Sequence, residues 1–425
     1  MSITSGNAEG MTSQLTRPLN SLITLCLTRL SRQNETHGAA PSHISNHDIR
    51  VPVRNGQTSA GDHIKTLFDC DLPTDKENET FVKCLEKAQL QGPGIRFVVI
   101  GSENYVGKWL NGGRRGHGLN YKCFAQQFVG SPVGPGQRNF FEQTLLLGEV
   151  QYDDITKQLD DMAQAEGIEQ TNIKYGDNKV YDRMVEEASI RCQRRLANIV
   201  RCIARCSLRP ICISGGNEDI LGLGYGVHLG RTIARGTPSN LTLGNFDCHG
   251  DYKNLEERGA HSGNGFSFLN TIGILKKYAV LGLSPYENRE SMMEQLISTN
   301  CWYRYLDDIS VIGAPNRPSL HESLLEMIKA LDAENDEVPG LCVDLDVTED
   351  LTTVSCPATL GITRAQVHEL VQEFTRYNKP FFLLLAEGMP DPMIPLTEGI
   401  NRTLGKYQAG LVSCFLRNCI SVPHI

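Results

Sequence analysis

The sequence predicts an α/β fold of three layers (αβα), with a mostly parallel central sheet covered by helices on both faces. Short apolar runs of strand length recur from about residue 95 to 385, and helix-length stretches with apolar residues three and four apart lie between them. Runs that are apolar on both sides need burial on both sides, which a parallel sheet between helices supplies. A third observation fits the same fold. Acidic and histidine clusters fall just after two of the runs, where such sheets place their reactive groups.

The elements follow in order. Ile95-Arg-Phe-Val-Val-Ile-Gly101 is the first buried strand, and 129–137, rich in Gly and Pro, is an ordinary loop. A long helix is expected over 179–206. Strands follow at Ile211–Gly216, Leu241–Phe246, Tyr278–Leu283 and Leu341–Asp346. A helix over 364–377 then leads to a last strand at Phe381–Leu385. Gly222-Leu-Gly-Tyr-Gly226 lacks the spacing of a dinucleotide loop, so close backbone packing is the expected reason for its glycines. One domain is therefore expected over 95–425, preceded by an irregular linker segment at 61–94.

Residues 1–60 contain no Phe, Tyr or Trp. They carry five arginines (Arg17, Arg29, Arg32, Arg50, Arg54) against Glu9, Glu35 and Asp48. Such a segment cannot bury enough apolar surface to offset its chain entropy, so it is expected to be a disordered extension. Leu19–Arg32 within it has the spacing of a short amphipathic helix with Arg on the polar side. It reads either as part of an organelle transit peptide or as a flexible tail with local helix.

The formal charge of the chain is −8, so the tail's surplus of two positive charges leaves −10 on the rest. That balance argues against nucleic acid or an anionic membrane as the partner. No apolar run approaches the roughly 18 residues of a spanning helix. Fourteen cysteines are too sparse for a disulfide scaffold, and none form a Cys-x-x-Cys, so a reducing compartment fits best. The expected location is the cytoplasm, or the mitochondrion if residues 1–32 act as a transit peptide.

The chemistry is expected in two clusters. In an extended Asp247-Cys-His-Gly-Asp251, the side chains of Asp247, His249 and Asp251 face one way while Cys248 and Gly250 turn away. Asp344-Leu-Asp346 ends another strand, with Leu345 inward and two carboxylates together. Buried carboxylates are costly unless paired or metal-bound. Four carboxylates and one imidazole suit Mn²⁺ or a similar hard divalent ion.

These motifs resemble the ureohydrolase family, which includes arginase, agmatinase and formimidoylglutamase. The order is a Gly-Gly turn (Gly215-Gly216-Asn217-Glu218-Asp219), then Asp247-Cys-His-Gly-Asp251, Asp344-Leu-Asp346 and Glu387-Gly-Met-Pro390. The match covers about 95–420. It is most similar to formimidoylglutamase through Asn111-Gly-Gly-Arg-Arg-Gly116 and Ser262-Gly-Asn-Gly-Phe266. The resemblance implies an arginase-like sheet, two Mn²⁺ per chain, and hydrolysis of formimidoylglutamate to glutamate and formamide. Asp247 and Asp344 would bridge the metals, His249 and Asp346 would complete one, and Asp251 would bind the other. Asp251 would also orient the attacking water and Glu387 would hold the amidinium. Arg114, Arg115, Ser262 and Asn264 are the candidates for binding the rest of the substrate. A homo-trimer or hexamer is implied by the family alone.

One departure stands out. The family's first metal ligand is a His after the Gly-Gly turn, and here Asn217-Glu218-Asp219 follows. Simple alignment gives Glu218 as the ligand, with Asn217 as the alternative; if neither binds, one metal remains. Partial loss of ligands would equally mark a non-catalytic binding or regulatory relative. A guanidine hydrolase of the agmatinase or arginase type is the other alternative. Phe266 stands where arginases have a proton-relay His, which speaks against arginase.

Overall fold

The computed structural model describes residues 44–45, 65–66, 75–90, 94–104, 106–111, 118–134, 137–167, 178–255, 259–309, 316–334 and 336–420. The amphipathic stretch 19–32 and nearly all of the extension 1–60 lie outside the described residues.

Eight strands form a parallel sheet: β1 (Phe97–Ser102), β2 (Thr144–Val150), β3 (Arg209–Ser214), β4 (Asn240–Phe246), β5 (Leu275–Leu283), β6 (Trp302–Tyr305), β7 (Glu337–Asp344) and β8 (Phe382–Ala386). Their spatial order is β2-β1-β3-β8-β7-β4-β5-β6, and every neighbouring pair is parallel. Two short strands pair with β2, Ile44–Ser45 antiparallel and Lys65–Thr66 parallel. The order reverses around β3, β8, β7 and β4, which places their C-terminal ends side by side at the centre.

Alternation along the strands builds two apolar layers. Val98, Ile100, Cys212, Leu243 and Leu384 pack on one face, and Phe97, Val99, Ile211, Ile213 and Leu383 on the other. The first face is covered by α1 (Asp75–Leu90), α3 (Lys179–Arg205) and α4 (Asp219–Arg235). The second is covered by α2 (Asn120–Val129), α5 (Leu320–Ala330), α6 (Arg364–Asn378) and α7 (Gly399–Ile420). Helix α1 falls in the segment expected to be irregular, and Phe81, Val82 and Leu85 tie it into the core.

Helix ends are fixed by side chains. Asn178 Oδ1 accepts from the N–H groups of Val180 and Tyr181 at the start of α3, and Thr363 with Gln366 forms a capping box on α6. Helix α4 carries Gly222, Gly226 and Gly230 at four-residue spacing. A Cβ at Gly226 would stand 2.7 Å from the Ala197 carbonyl oxygen of α3, and one at Gly230 would stand 2.5 Å from that of Arg201. The glycines therefore let α3 and α4 touch backbone to backbone, which carries the N-terminus of α4 to the end of β3.

Candidate metal centre

Each candidate residue follows a strand of the central group. Asn217 and Glu218 follow β3, Asp247 to Asp251 follow β4, Asp344 ends β7, and Glu387 follows β8. Asp247, Asp251, Asp344, Asp346 and Glu387 are all buried, each under 9 % exposed.

The Asp247–Asp251 segment is a turn rather than extended chain. Asp251 has φ 46°, the Gly250 N–H donates to Asn288 Oδ1 at 2.8 Å, and Tyr278 donates its hydroxyl proton to the Gly250 carbonyl at 3.0 Å. The turn brings Asp247, Asp251 and Asp344 together with oxygens within 4.8 Å of one another. A second group, Asp247, Cys248 and His249, meets the same limit. Asp247 belongs to both. The expectation that Cys248 turns away therefore fails, because the chain is not extended there.

Asp247 is held from three directions. Asn245 Nδ2 donates to its Oδ2 at 3.0 Å, the His249 N–H donates to Oδ1 at 2.7 Å, and Asn217 Nδ2 lies 3.4 Å from Oδ2. Asp346 is folded back by a 3₁₀ turn. Its N–H donates to Asp344 Oδ1 at 2.9 Å, and its carboxylate accepts from the Cys356 N–H at 3.2 and 3.3 Å. Burial and then mutual repulsion raise these acids. Asp251 is pushed up to about 8 by burial and by Asp247, and Asp344 stands well above the carboxylate range from burial and Asp247.

The Gly-Gly turn presents Asn217, and not Glu218, to the acid cluster. Asn217 Nδ2 donates to Asp251 Oδ2 at 2.7 Å, whereas Glu218 Oε1 accepts from the Lys108 N–H at 3.2 Å. Asp219 anchors the turn from inside, accepting from Ser214 Oγ at 2.7 Å and Gln193 Nε2 at 2.9 Å. Glu387 sits at φ 66°, a backbone state uncommon outside glycine and often found where a site over-determines the chain. Its Oε1 accepts from the Asn217 N–H at 2.9 Å, and its Oε2 meets Lys108 Nζ at 2.9 Å.

The substrate-side candidates divide. Ser262 Oγ accepts from Asn111 Nδ2 at 2.9 Å, and Asn111 Oδ1 accepts from Lys253 Nζ at 2.6 Å. Asn264 is spent inside its own loop, with Oδ1 on the His261 N–H and Nδ2 on the Gly259 carbonyl. Arg114 and Arg115 lie outside the described residues. Phe266 is fully buried and stacks on Tyr278, with ring centroids 4.4 Å apart. Sequence reasoning missed Lys108, Lys253 and Cys356. Lys253, two residues after a ligand-type Asp, was the one with a positional signal.

A divalent cation suits this donor set. Three mutually close buried carboxylates repel one another, and the buried Asn217 Oδ1 has no hydrogen-bond partner among the described residues. A hard cation takes such oxygens together.

A parallel α/β sheet with a buried Asp/His cluster on its central strand ends defines a chain of the arginase fold. In its ordered motifs the chain is similar to the ureohydrolase family, and the comparisons that follow point the same way. No family model matches it, but curated relatives do. It is 28 % identical over 191 residues to a formimidoylglutamase of Paraburkholderia xenovorans, covering 42 % of this chain and 56 % of the relative. It is 23 % identical over 257 residues to one of Streptococcus gordonii, covering 60 % and 64 %. The chain thus spans less than two thirds of these relatives' length. Among solved structures, formimidoylglutamase from Bacillus subtilis superposes with a TM-score of 0.59 at 13 % identity, covering 88 % of this chain and 95 % of that one. Formiminoglutamase from Trypanosoma cruzi with Mn²⁺ superposes at 0.56 and 18 % identity, covering 80 % and 99 %. At these identities the structural likeness shows the fold.

Proposed function

We propose that the chain is a Mn²⁺-dependent hydrolase of a linear amidine C–N bond, with formimidoylglutamate as the substrate. The observation that carries this is the buried triad of Asp247, Asp251 and Asp344 with donor atoms within 4.8 Å, at the centre of an arginase-type sheet. Asp247 and Asp344 would hold two ions in common. Asp251 with Asn217 would serve one ion, and His249 with Asp346 the other. A divalent pair, when bound, would supply a water of lowered pKa and would stabilise the oxygen of the tetrahedral adduct.

The chain's own groups would do the rest. Asp251, fixed by the Asn217 amide, would orient the attacking water by accepting its hydrogen bond. Glu387 would accept a charge-assisted hydrogen bond from the amidinium, shared with the Lys108 ammonium and the Asn217 N–H. Lys253 and Ser262, joined through Asn111, would meet the carboxylates of the substrate together with Arg114 or Arg115. The buried Phe266 offers no proton relay.

Full-length protein loaded with Mn²⁺ should release formamide from formimidoylglutamate. Metal-loaded protein that turns over no amidine or guanidine overturns the reading. One observation favours a second one, a non-catalytic ligand-binding relative: Lys108 already satisfies the carboxylate that the amidinium needs. Tight binding of the substrate without turnover would support that alternative.

A further inference from the structure

We infer that Tyr278 is a positioning residue of the metal centre. Its hydroxyl joins the two ends of the Asp247–Asp251 turn, so the ion held with Asp251 depends on it and the ion held with His249 does not. The inference rests on the metal-centre reading above and leaves its ligands as assigned.

Strand pairing brings the groups together. β4 and β5 run side by side with Leu243 opposite Tyr278, and Asn245 follows two residues along β4 on the same face. Tyr278 and Asn245 are both buried. The Tyr278 ring stacks on Phe266 with centroids 4.4 Å apart and on Tyr252 at 5.5 Å, so packing aims its hydroxyl.

The protons fall in one direction. The Gly250 carbonyl can only accept, so the Tyr278 hydroxyl gives it the proton at 3.0 Å. The phenol oxygen is left to accept from Asn245 Nδ2 at 3.1 Å. The same amide nitrogen gives its other proton to Asp247 Oδ2 at 3.0 Å. One chain of hydrogen bonds thus runs from the carboxylate at the head of the turn to the carbonyl before its tail.

The two ends do not depend on it equally. The Gly250 carbonyl and the Asp251 N–H belong to one planar peptide unit, so fixing that oxygen fixes the plane from which Asp251 turns to φ 46°. That backbone state is uncommon outside glycine and persists only where the surroundings hold it. The Gly250 N–H, bound to Asn288, lies in the preceding peptide unit and does not fix this one. Asp247, by contrast, keeps the His249 N–H at 2.7 Å with or without the phenol. Loss of the hydroxyl therefore releases Asp251 and leaves Asp247 in place.

The test is a Mn²⁺ titration of the metal-free full chain, with unbound Mn²⁺ counted by electron paramagnetic resonance. Tyr278→Phe keeps the ring and removes only the hydroxyl. It should weaken one of the two ions about tenfold and leave the other within about twofold of wild type, in line with the loss of an outer hydrogen-bond partner. In an Asp251→Asn background the same substitution should have no further effect. Phe266→Leu loosens the stack and touches no polar group; it should weaken the same ion by a smaller factor, and it gives a reading if Tyr278→Phe fails to fold. Equal weakening of both ions, unchanged binding of both, or further weakening in the Asp251→Asn background overturns the role of Tyr278 while leaving the metal centre standing. No Mn²⁺ bound by wild type overturns the metal centre itself.

Discussion

Lys108 Nζ lies 2.9 Å from Glu387 Oε2, with both side chains buried. The pair sits against Glu218 and Asp346, whose charges, after that of Glu387, help hold the ammonium charged against the opposing effect of burial. Removing one partner strands the other in the interior, which typically costs about 3–5 kcal/mol. Lys108→Met should therefore destabilise the metal-free protein by about 3 kcal/mol in urea unfolding. Glu387→Gln in the same chain should recover most of that loss. Additive single and double variants would show that the two groups act independently.

Asn217 reaches the acid cluster where Glu218 does not. Asn217→His should give the triad a nitrogen ligand and tighten divalent metal on the order of tenfold, or about 1.4 kcal/mol. Glu218→His should leave the affinity near wild type. Calorimetric titration with Mn²⁺ separates the two, and a larger gain from Glu218→His would reverse the assignment.

Glu149 on β2 provides a pH test away from the metal centre. Its carboxyl is pushed up to about 8, first by burial and then by Glu103, from an ordinary value of 4.5. Between those values the folded chain holds a proton that the unfolded chain has released. Stability therefore falls as pH rises through that window. Glu149→Gln should make the slope shallower, since other buried acids such as Asp251 still contribute to it, and should stabilise the protein at pH 8 by on the order of a few kcal/mol. Urea unfolding across pH 5 to 8 that shows the same slope in both proteins would refute it.

The α3–α4 contact is open to a packing test. Gly226→Ala places a methyl 2.7 Å from the Ala197 carbonyl oxygen and 2.7 Å from Val200 Cβ, so the helices must part. The expected cost is about 1–3 kcal/mol, seen as a lowered thermal midpoint. Ala at Gly410, which faces open space in α7, should cost nothing measurable or stabilise slightly.

Much of this was legible in the sequence. Six of the eight parallel strands showed as apolar runs, and the two helices read from periodicity, 179–206 and 364–377, end within a residue of Lys179–Arg205 and Arg364–Asn378; the helices at Asp75–Leu90, Asp219–Arg235 and Gly399–Ile420 were not read. β2 was missed because Leu145 to Leu147 is a short run cut by Gly148. β6, Trp302–Tyr305, is only partly buried and alternates no clear pattern. The acid cluster was found because its spacing is local. Lys108 was not, because its partner Glu387 is 279 residues away and nothing around Val106–Leu110 marks a buried cation. Cys248 was misplaced because the extended-strand rule ends where the turn at Asp251 begins. Glu218 was aligned one residue away from the side chain that faces the acids. Placement in a tight turn depends on φ and ψ, which spacing alone does not fix.

The most direct measurement is the divalent metal content of the full chain after Mn²⁺ loading and dialysis, for wild type and Asp247→Ala. Asp247 is common to both donor groups. The account expects up to two ions per chain in wild type and none in Asp247→Ala, with formamide release lost in parallel. Equal metal content in the two proteins, or none in wild type, would contradict it.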